Sequence, residues 1–325
     1  MLRYWDTKAF MSKNQVRINI KKDSTQKGIW QYSQYLTEVP SVFRLSLNEG
    51  NTSEEFFAHL DVILKREDQN PTGSLKDRGM AFLISKALSE GFNNFVLSSS
   101  GNAAISSANY CKKAELKLKI FVSPKIDKNK MLVLKQMRAD VSTDNRPLTM
   151  AARFSKENNA YNLRPSLNKF GGEGYQTISF ELTDGNQEIS DIFIPVSSGV
   201  NLLGIYQGFK KTKILPHLHL CQSSAVCPLA CLFDRDYPPE KVSLATALVA
   251  KHSPLKQQIL KAIEESGGTG WVIGNEQIKQ ANKLLQEHKI LTSAEGALAL
   301  AAVEKARKKG WQIKKGVCLL TGKKY

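Results

Sequence analysis

Short apolar segments alternate with helical patterns along most of this 325-residue chain. Three of the apolar segments have the composition of buried strands: Asp61 to Arg66, Phe95 to Leu97 and Leu118 to Val122. Each is followed by apolar residues at helical spacing, over residues 77–89, 103–112 and 128–137. Parallel strands need such crossover helices, which then cover both faces of the sheet. The sequence therefore predicts an α/β fold with mostly parallel strands.

The length of the chain exceeds what one hydrophobic core usually holds, so we expect two domains. We assign residues 1–75 and 145–325 to a large domain and residues 76–144 to a small domain. No internal repeat or low-complexity linker separates these segments. The chain is therefore expected to cross between two α/β domains.

Composition disfavours several classes of protein. No apolar run approaches the length of a membrane span, and residues 1–23 lack the apolar core of a signal peptide. We therefore expect a cytoplasmic protein without membrane contact. The five cysteines are odd in number and include no Cys-x-x-Cys pair. Neither a disulfide framework nor a metal site is indicated, and free thiols are expected.

The net charge of +16 raises the question of a nucleic-acid partner, because basic proteins can bind phosphate groups. However, the lysines are spread over the whole chain, and the densest group, within residues 305–324, lies around a predicted helix end and beyond it. Solvated surface accounts for this distribution. We predict no nucleic-acid partner, although a positive field would also attract an anionic cofactor or substrate.

Lys76 lies at a junction between a loop and a helix. Pro71 and Gly73 disfavour regular structure before it, and the helical pattern begins at Asp77. A lysine at a helix N-terminus is at the unfavourable end of the helix dipole, which favours the neutral, nucleophilic amine. Such an amine can form a Schiff base. A single lysine in a turn is nevertheless more often simply solvated, so this position alone decides nothing.

The residues around Lys76 are more specific. Asn70 to Gly79, which reads Asn-Pro-Thr-Gly-Ser-Leu-Lys-Asp-Arg-Gly, resembles the lysine motif of the pyridoxal-phosphate enzymes of the tryptophan synthase β-subunit type. Leu45 to Thr52, a predicted short strand running into a turn, resembles the Leu-Gly-Glu-Gly-Asn-Thr segment of threonine synthases. The resemblance implies two open, twisted, mostly parallel sheets flanked by helices, with pyridoxal 5'-phosphate bound to Lys76 between them. It also implies a homodimer.

A second motif, Ser98 to Ala104, lies between a predicted strand and a predicted helix. The carboxyl ends of parallel strands face the ligand crevice, although polar loops also occupy such positions for turn formation. The segment resembles the Ser-x-Gly-Asn loop of the same superfamily. This resemblance implies that Asn102 lies beside the phenolic oxygen of the cofactor and that Ser99 and Ser100 hold the substrate carboxylate. Ala103 departs from the family, in which threonine is common at this position.

A third motif, Pro195 to Asn201, follows a predicted apolar strand and precedes a predicted helix. Backbone amides at such a corner converge in front of the helix and form an anion site, although the glycine content is low for a phosphate loop. The motif resembles the Pro-Val-Gly-Asn-x-Gly-Asn loop that holds the cofactor phosphate in threonine synthases. The residues at matching positions are Ser197, Ser198, Gly199, Val200 and Asn201.

The last motif, Val317 to Gly322, is a buried-strand pattern that ends in a threonine, Thr321. Threonine often ends a strand for structural reasons alone. The Leu-Thr-Gly sequence resembles that of threonine synthases, which implies that the Thr321 hydroxyl faces the pyridine nitrogen of the cofactor. A neutral hydroxyl leaves that nitrogen unprotonated more readily than a carboxylate does. The family usually continues with Gly-His-Gly-Leu-Lys-Asp, whereas Lys323, Lys324 and Tyr325 follow here.

The substrate segment departs most from the family. Threonine synthases carry Asn-Ser-x-Asn-Pro-x-Arg, which helps to bind the phosphate of O-phosphohomoserine, whereas residues 163–172 here keep only Ser166 and Asn168 in register. A proline replaces the first asparagine, and a glycine replaces the arginine. Arg164 or Lys169 could supply the cation from a shifted position, and Arg164 is the first candidate because its guanidinium can engage two oxygens.

The resemblance implies a pyridoxal-phosphate lyase of the threonine synthase type, with a small phosphorylated amino acid as its substrate. Lys76 would remove the α-proton and move protons while phosphate leaves and water adds to give threonine. One alternative is a β-eliminase similar to threonine and serine dehydratases, which needs no pocket for a substrate phosphate. The other is a catalytically silent homologue that binds the cofactor or nucleic acid.

Overall fold

The computed structural model describes residues 18–99, 101–184 and 188–325. In these ranges the chain forms two β-sheets and the helices that surround them. The strands of the described part are β1 (Glu54–Phe57), β2 (Val62–Lys65), β3 (Asn94–Ser98), β4 (Lys117–Val122), β5 (Asp140–Thr143), β6 (Tyr161–Asn162), β7 (Asp191–Pro195), β8 (His217–Ser223), β9 (Thr269–Ile273) and β10 (Gly316–Leu319).

The spatial order β1-β2-β10-β7-β8-β9 forms a six-stranded sheet, and the order β5-β4-β3-β6 forms a four-stranded sheet. Neighbouring strands are parallel, except that β1 and β2 are antiparallel. Strand β10 therefore lies in the middle of the larger sheet, between β2 and β7. The predicted fold class, two mostly parallel sheets flanked by helices, is confirmed.

Helices connect the strands in both sheets. Those of the described part are α1 (Lys76–Ser89), α2 (Asn102–Lys113), α3 (Lys128–Gln136), α4 (Pro147–Glu157), α5 (Gln176–Thr183), α6 (Val200–Thr212), α7 (Lys256–Glu265), α8 (Asn275–Glu287) and α9 (Ala294–Lys308). Helices α1, α2 and α3 correspond to the helical patterns predicted at residues 77–89, 103–112 and 128–137.

Side chains of the larger sheet alternate between two layers of helices. Phe193 and Cys318 belong to the apolar cluster formed with α8 and α9. Ile192, Ile194 and Val317 belong instead to the cluster formed with α5, α6 and α7. Because both faces are covered, a ligand can approach the sheet only at the ends of its strands, and in parallel sheets the carboxyl ends carry the binding loops.

The short strand predicted from Leu45 is wrong, since residues 44–50 are irregular in the structure. Side chains form hydrogen bonds with the backbone N–H groups that would otherwise pair with a neighbouring strand. The Glu49 carboxylate accepts the Leu47 N–H at 2.8 Å, and the Ser46 hydroxyl accepts the Asn48 N–H at 2.9 Å. These local hydrogen bonds hold the segment in a compact turn that its apolar residues do not reveal.

The four-stranded sheet draws its strands from residues 94–162, so β6 lies beyond residue 144. The domain boundaries given above stay a prediction. The cysteines are free thiols, of which Cys111, Cys221 and Cys318 are buried. Within the described ranges, the structure has no helix long and apolar enough to cross a membrane. The same ranges contain no cluster of three or more histidine, cysteine, aspartate or glutamate side chains suited to a metal ion.

Candidate active site

Lys76 is the first residue of α1 and is half-buried. Its ammonium lies 5.5 Å from the centre of the Tyr175 ring, close enough for a cation–π contact. Burial lowers the pKa of Lys76 to about 8. A larger fraction of this amine is therefore neutral near physiological pH than of an exposed lysine, whose pKa is about 10.4.

Asp77, the next residue, fixes the loop in which the lysine lies. Its buried carboxylate accepts the Thr72 N–H at 2.7 Å and the Thr72 hydroxyl at 2.5 Å. It also accepts the hydroxyl of Ser106, on α2, at 2.6 Å. Asp77 therefore joins both ends of the lysine loop, defined here as residues 70–76, and attaches it to α2, the helix that follows the second motif.

Arg78 is fully buried and lies between two carboxylates. Its guanidinium forms ion pairs with Glu67 at 2.7 Å and with Glu181 at 2.6 Å. Glu181 also accepts the ammonium of buried Lys65 at 2.8 Å. Two cations and two anions thus compensate one another in the core, and removal of one partner from such a group costs about 3–5 kcal/mol.

Sequence reasoning missed this charged group, although a signal was present. Lys65 ends an apolar strand, and Glu181 lies between Phe180 and Leu182, so each charge interrupts a buried segment. Sequence reasoning also missed Tyr175, whose hydroxyl is buried without a hydrogen-bond partner in the described part of the chain. A Cβ at Gly79 would lie 2.6 Å from that hydroxyl oxygen, so the glycine of the lysine motif is needed for Tyr175 to approach α1.

Asn102 is the first residue of α2 and has an unused hydrogen-bonding atom. Its Oδ1 is buried and has no partner among the described residues. A Cβ at Gly322 would lie 2.7 Å from its Nδ2, which places the second motif against the last one. Nearby, the Ser99 hydroxyl accepts the Gly101 N–H at 3.3 Å and retains its own proton for a further acceptor. Ser100 lies outside the described residues.

The third motif forms a tight corner between β7 and α6. Gly199 has φ +90°, and a Cβ there would lie 2.1 Å from the Ile259 Cδ1 atom, so only glycine fits. The first turn of α6 leaves the N–H groups of Val200 and Asn201 without a carbonyl in their own helix. The Asn201 side chain closes the corner by donating to the Pro195 carbonyl at 2.9 Å.

Ser197 and Ser198 are half-buried at this corner. The Ser197 hydroxyl accepts the Ala250 N–H at 3.4 Å, and the Ser198 carbonyl accepts the Ser253 hydroxyl at 2.7 Å. A loop around residues 250–253 therefore covers the outer side of the corner. The amides at the start of α6, which have no carbonyl partner within their helix, form with the helix dipole a site suited to an anion.

Thr321 is buried and lies two residues after the end of β10. Its carbonyl accepts the N–H of Leu75, the residue before Lys76, at 3.1 Å. Gly322 forms an antiparallel bridge with Ser74. The structure thus brings the lysine loop, the Asn102 loop and the Thr321 segment together. Because β10 is paired with β7, the loop that follows β7 begins next to Thr321.

The predicted substrate residues are arranged differently from expectation. The Asn168 amide is already engaged, accepting the Tyr161 hydroxyl at 2.6 Å and donating to the Asn162 carbonyl at 3.3 Å. Ser166 and Arg164 are half-buried. Among the described residues, none forms an ion pair with the Arg164 guanidinium. Within the described residues, Lys169 also has no ion pair, so both cations of this segment are available to an anion, and Arg164 is the one with a guanidinium.

Gly171 occupies the position of the family arginine, and the backbone leaves no room for a side chain there. A Cβ at Gly171 would lie 2.1 Å from the Pro165 carbonyl oxygen. Asn168 and Lys169 line a separate cavity of about 520 Å³ between α6 and α7. Val200 is the one proposed cofactor residue among those that line this cavity, and Lys76 does not line it. The structure therefore does not place Asn168 and Lys169 together with Lys76 in one cavity.

The site fits pyridoxal 5'-phosphate. It offers an amine with a lowered pKa, an amide oxygen that no described residue binds, a helix N-terminus for a phosphate and a neutral threonine. A family model described as pyridoxal-phosphate dependent enzyme matches residues 46–322 of the chain. The chain belongs to this family. Pyridoxal phosphate is its cofactor, as the lysine motif predicted.

Curated relatives of this pyridoxal-phosphate dependent enzyme include threonine synthases. That of Methanocaldococcus jannaschii is 29% identical over 324 residues, covering 91% of this chain and 80% of the relative. That of Bacillus sp. (strain ULM1) is 30% identical over 312 residues, covering 90% of this chain and 88% of the relative. The predicted resemblance to threonine synthases of the tryptophan synthase β-subunit type is confirmed.

Solved structures support the fold. Maize serine racemase has a TM-score of 0.75 at 20% identity, covering 85% of this chain and 89% of its own. The processed form of threonine deaminase isoform 2 from Solanum lycopersicum has a TM-score of 0.74 at 18% identity, covering 95% of this chain and 88% of its own. These neighbours carry several activities, so the fold alone does not select a reaction.

Proposed function

We propose that this enzyme is a lyase of the threonine synthase type, which converts O-phosphohomoserine and water to threonine and phosphate. The observation that carries the proposal is the position of Lys76, a lysine of lowered pKa that lies beside the Tyr175 ring and directly after Leu75, whose N–H is bound to Thr321. The similarity to threonine synthases over most of the chain supports this reaction rather than another of the same fold.

Lys76 both accepts and releases protons in this proposal. A pKa of about 8 lies near the operating pH, where a general acid–base catalyst is most effective. Its Nζ removes the proton from the α-carbon of the substrate and later returns a proton. When bound, pyridoxal phosphate supplies an electron sink that acidifies the bonds at that carbon. Tyr175 and the loop closed by Asp77 keep the amine in place.

The remaining motifs bind and orient the cofactor and the substrate. The backbone amides of residues 197–201 hold the cofactor phosphate at the N-terminus of α6. Thr321 would offer a neutral hydroxyl to the pyridine nitrogen of the bound cofactor, and the Asn102 amide would bind the phenolic oxygen. Ser99 and Ser100 hold the substrate carboxylate. Arg164 holds the substrate phosphate, with Ser166 and Asn168 as the neighbouring residues of the same segment.

A specific observation favours a second candidate function. Because the backbone at Gly171 excludes the family arginine, Arg164 is the one guanidinium left in residues 163–172 for a substrate phosphate. A β-eliminase acting on threonine or serine needs no such group.

We also propose a cytoplasmic homodimer without a nucleic-acid partner, on the basis of the family resemblance and the dispersed lysines.

A product assay separates the two reactions. The purified holoenzyme is incubated separately with O-phosphohomoserine, threonine and serine. The threonine synthase proposal expects threonine and inorganic phosphate in equal amounts from the first substrate. Release of ammonia and a 2-oxo acid from threonine or serine, with no phosphate from O-phosphohomoserine, would select the eliminase instead.

A further inference from the structure

The residues that follow β10 form a strap, defined here as residues 321–325, along the lysine loop. The Leu75 N–H donates to the Thr321 carbonyl at 3.1 Å, and the Lys323 N–H donates to the Gly73 carbonyl at 2.8 Å. Between these two bonds lies the bridge from Gly322 to the loop. The strap is thus hydrogen-bonded like a strand to the three residues that precede Lys76.

The stem of Lys323 covers the turn of the lysine loop. Gly73 has φ +88°, and a Cβ there would lie 2.3 Å from the Lys323 Cδ atom. The glycine therefore serves two purposes, since it permits the left-handed backbone and leaves space for the lysine stem. The Lys323 side chain of the strap therefore packs against the backbone of the lysine loop at Gly73.

Tyr325 connects the strap to the lysine loop and to the four-stranded sheet with its helices. Its hydroxyl donates to the Thr72 carbonyl at 3.0 Å, within the lysine loop. Its carbonyl accepts the Asn129 side chain, on α3, at 3.2 Å. Its ring packs against the apolar cluster of the four-stranded sheet, which includes Ile105 and Leu134. One residue thus contacts the lysine loop, α3 and the core of the smaller sheet.

Thr72 is consequently held from two sides. Its N–H and hydroxyl are bound by Asp77, and its carbonyl is bound by the Tyr325 hydroxyl. We propose that Tyr325 is a positioning residue for Lys76, because its hydroxyl fixes Thr72 and its ring fixes that hydroxyl relative to the smaller sheet. This inference rests on the proposed role of Lys76 but not on the identity of the substrate.

The test compares two single-atom changes. Tyr325→Phe removes the hydroxyl and keeps the ring against the apolar cluster. Tyr35→Phe is the matched control, since among the described residues that hydroxyl accepts the Lys21 N–H at 3.0 Å and is not bound to the lysine loop. Hydrogen exchange of residues 70–77 and the rate of pyridoxal phosphate attachment are measured in cofactor-free protein. The holoenzyme provides kcat and KM.

We expect Tyr325→Phe to raise hydrogen exchange in residues 70–77 and to slow cofactor attachment, each by about two- to tenfold, the effect of one lost hydrogen bond. With an active substrate, kcat falls by a similar factor and KM changes little. Tyr35→Phe leaves all four quantities unchanged. If Tyr325→Phe lowers only the melting temperature, its role is structural and the inference is wrong. The exchange and attachment measurements decide this even if every proposed substrate is inactive.

Discussion

The Asp77 carboxylate binds the N–H and the hydroxyl of Thr72 at 2.7 Å and 2.5 Å, so the residue after the lysine closes the loop that precedes it. This relationship explains why the lysine motif carries a threonine and an aspartate around Lys76. Neither side chain needs to touch the substrate. Together they set the direction from which α1 begins, and with it the position of the amine.

Thr72→Val is expected to destabilise the cofactor-free protein by about 1–3 kcal/mol, because a buried carboxylate loses one of its donors. The free energy of unfolding in urea measures this loss. Thr25→Val is the control, since the Thr25 hydroxyl donates to Asp23 at 2.6 Å on the exposed surface. That change should cost less than about 0.5 kcal/mol. Equal effects of the two substitutions would show that the Asp77 contact adds no stability.

The lowered pKa of Lys76 has a consequence for pH dependence. The neutral amine is the nucleophile, and burial makes it the major form above a pH of about 8. The rate of pyridoxal phosphate attachment to cofactor-free protein should therefore rise up to that pH and then level off. With Nα-acetyl-lysine, whose side-chain amine is free and exposed, the rate of reaction with pyridoxal phosphate should keep rising to about pH 10. Identical profiles for protein and model amine would contradict the lowered pKa.

The anion site at the start of α6 is tested with a charge at Ser198. Ser198→Asp places a carboxylate where the cofactor phosphate is proposed to bind, whereas Ser198→Asn is nearly the same size and neutral. The dissociation constant for pyridoxal phosphate should be about tenfold or more higher in the aspartate variant than in the asparagine variant. This comparison avoids position 199, where any side chain would meet Ile259. Equal dissociation constants would mean that the corner is only a turn.

Much of the fold and the site could be predicted from local sequence. The alternation of strands and helices predicted the sheets, and three of the four motifs lie in segments that contact one another in the structure, those of Lys76, Asn102 and Thr321. Each of these signals lies within about ten neighbouring residues. The chemistry of a loop between a strand and a helix is local, which is why such motifs can be read without a structure.

The rest depends on contacts between distant parts of the chain. Arg78 and Glu181 are paired across 103 positions in the sequence, and Tyr325 reaches Thr72 across 253. No spacing rule links such residues. The lack of room at Gly171 likewise depends on the Pro165 carbonyl and on the path of the loop between them. Sequence alone identified the missing arginine but not the reason that it cannot be restored.

The substrate phosphate is tested at Arg164. A buried charge-assisted contact is worth about 1.5–3 kcal/mol, so Arg164→Ala should reduce kcat/KM for O-phosphohomoserine by roughly tenfold to more than a hundredfold. The cofactor spectrum should not change. Lys169→Ala is the comparison, because that ammonium lies over the Phe170 ring at 4.7 Å and lines the separate cavity. If neither substitution alters turnover, another group binds the phosphate.

Borohydride reduction followed by peptide mass spectrometry identifies the lysine that carries the cofactor. Reduction fixes pyridoxal phosphate covalently on the lysine to which it is bound. We expect the phosphopyridoxyl mass on the peptide that contains Lys76, and we expect Lys76→Ala to lose both this mass and the visible absorbance at roughly 400 nm. Lys86→Ala, on the same helix, should retain both. The phosphopyridoxyl mass on a different lysine, or an unchanged absorbance in Lys76→Ala, would mean that Lys76 does not carry the cofactor.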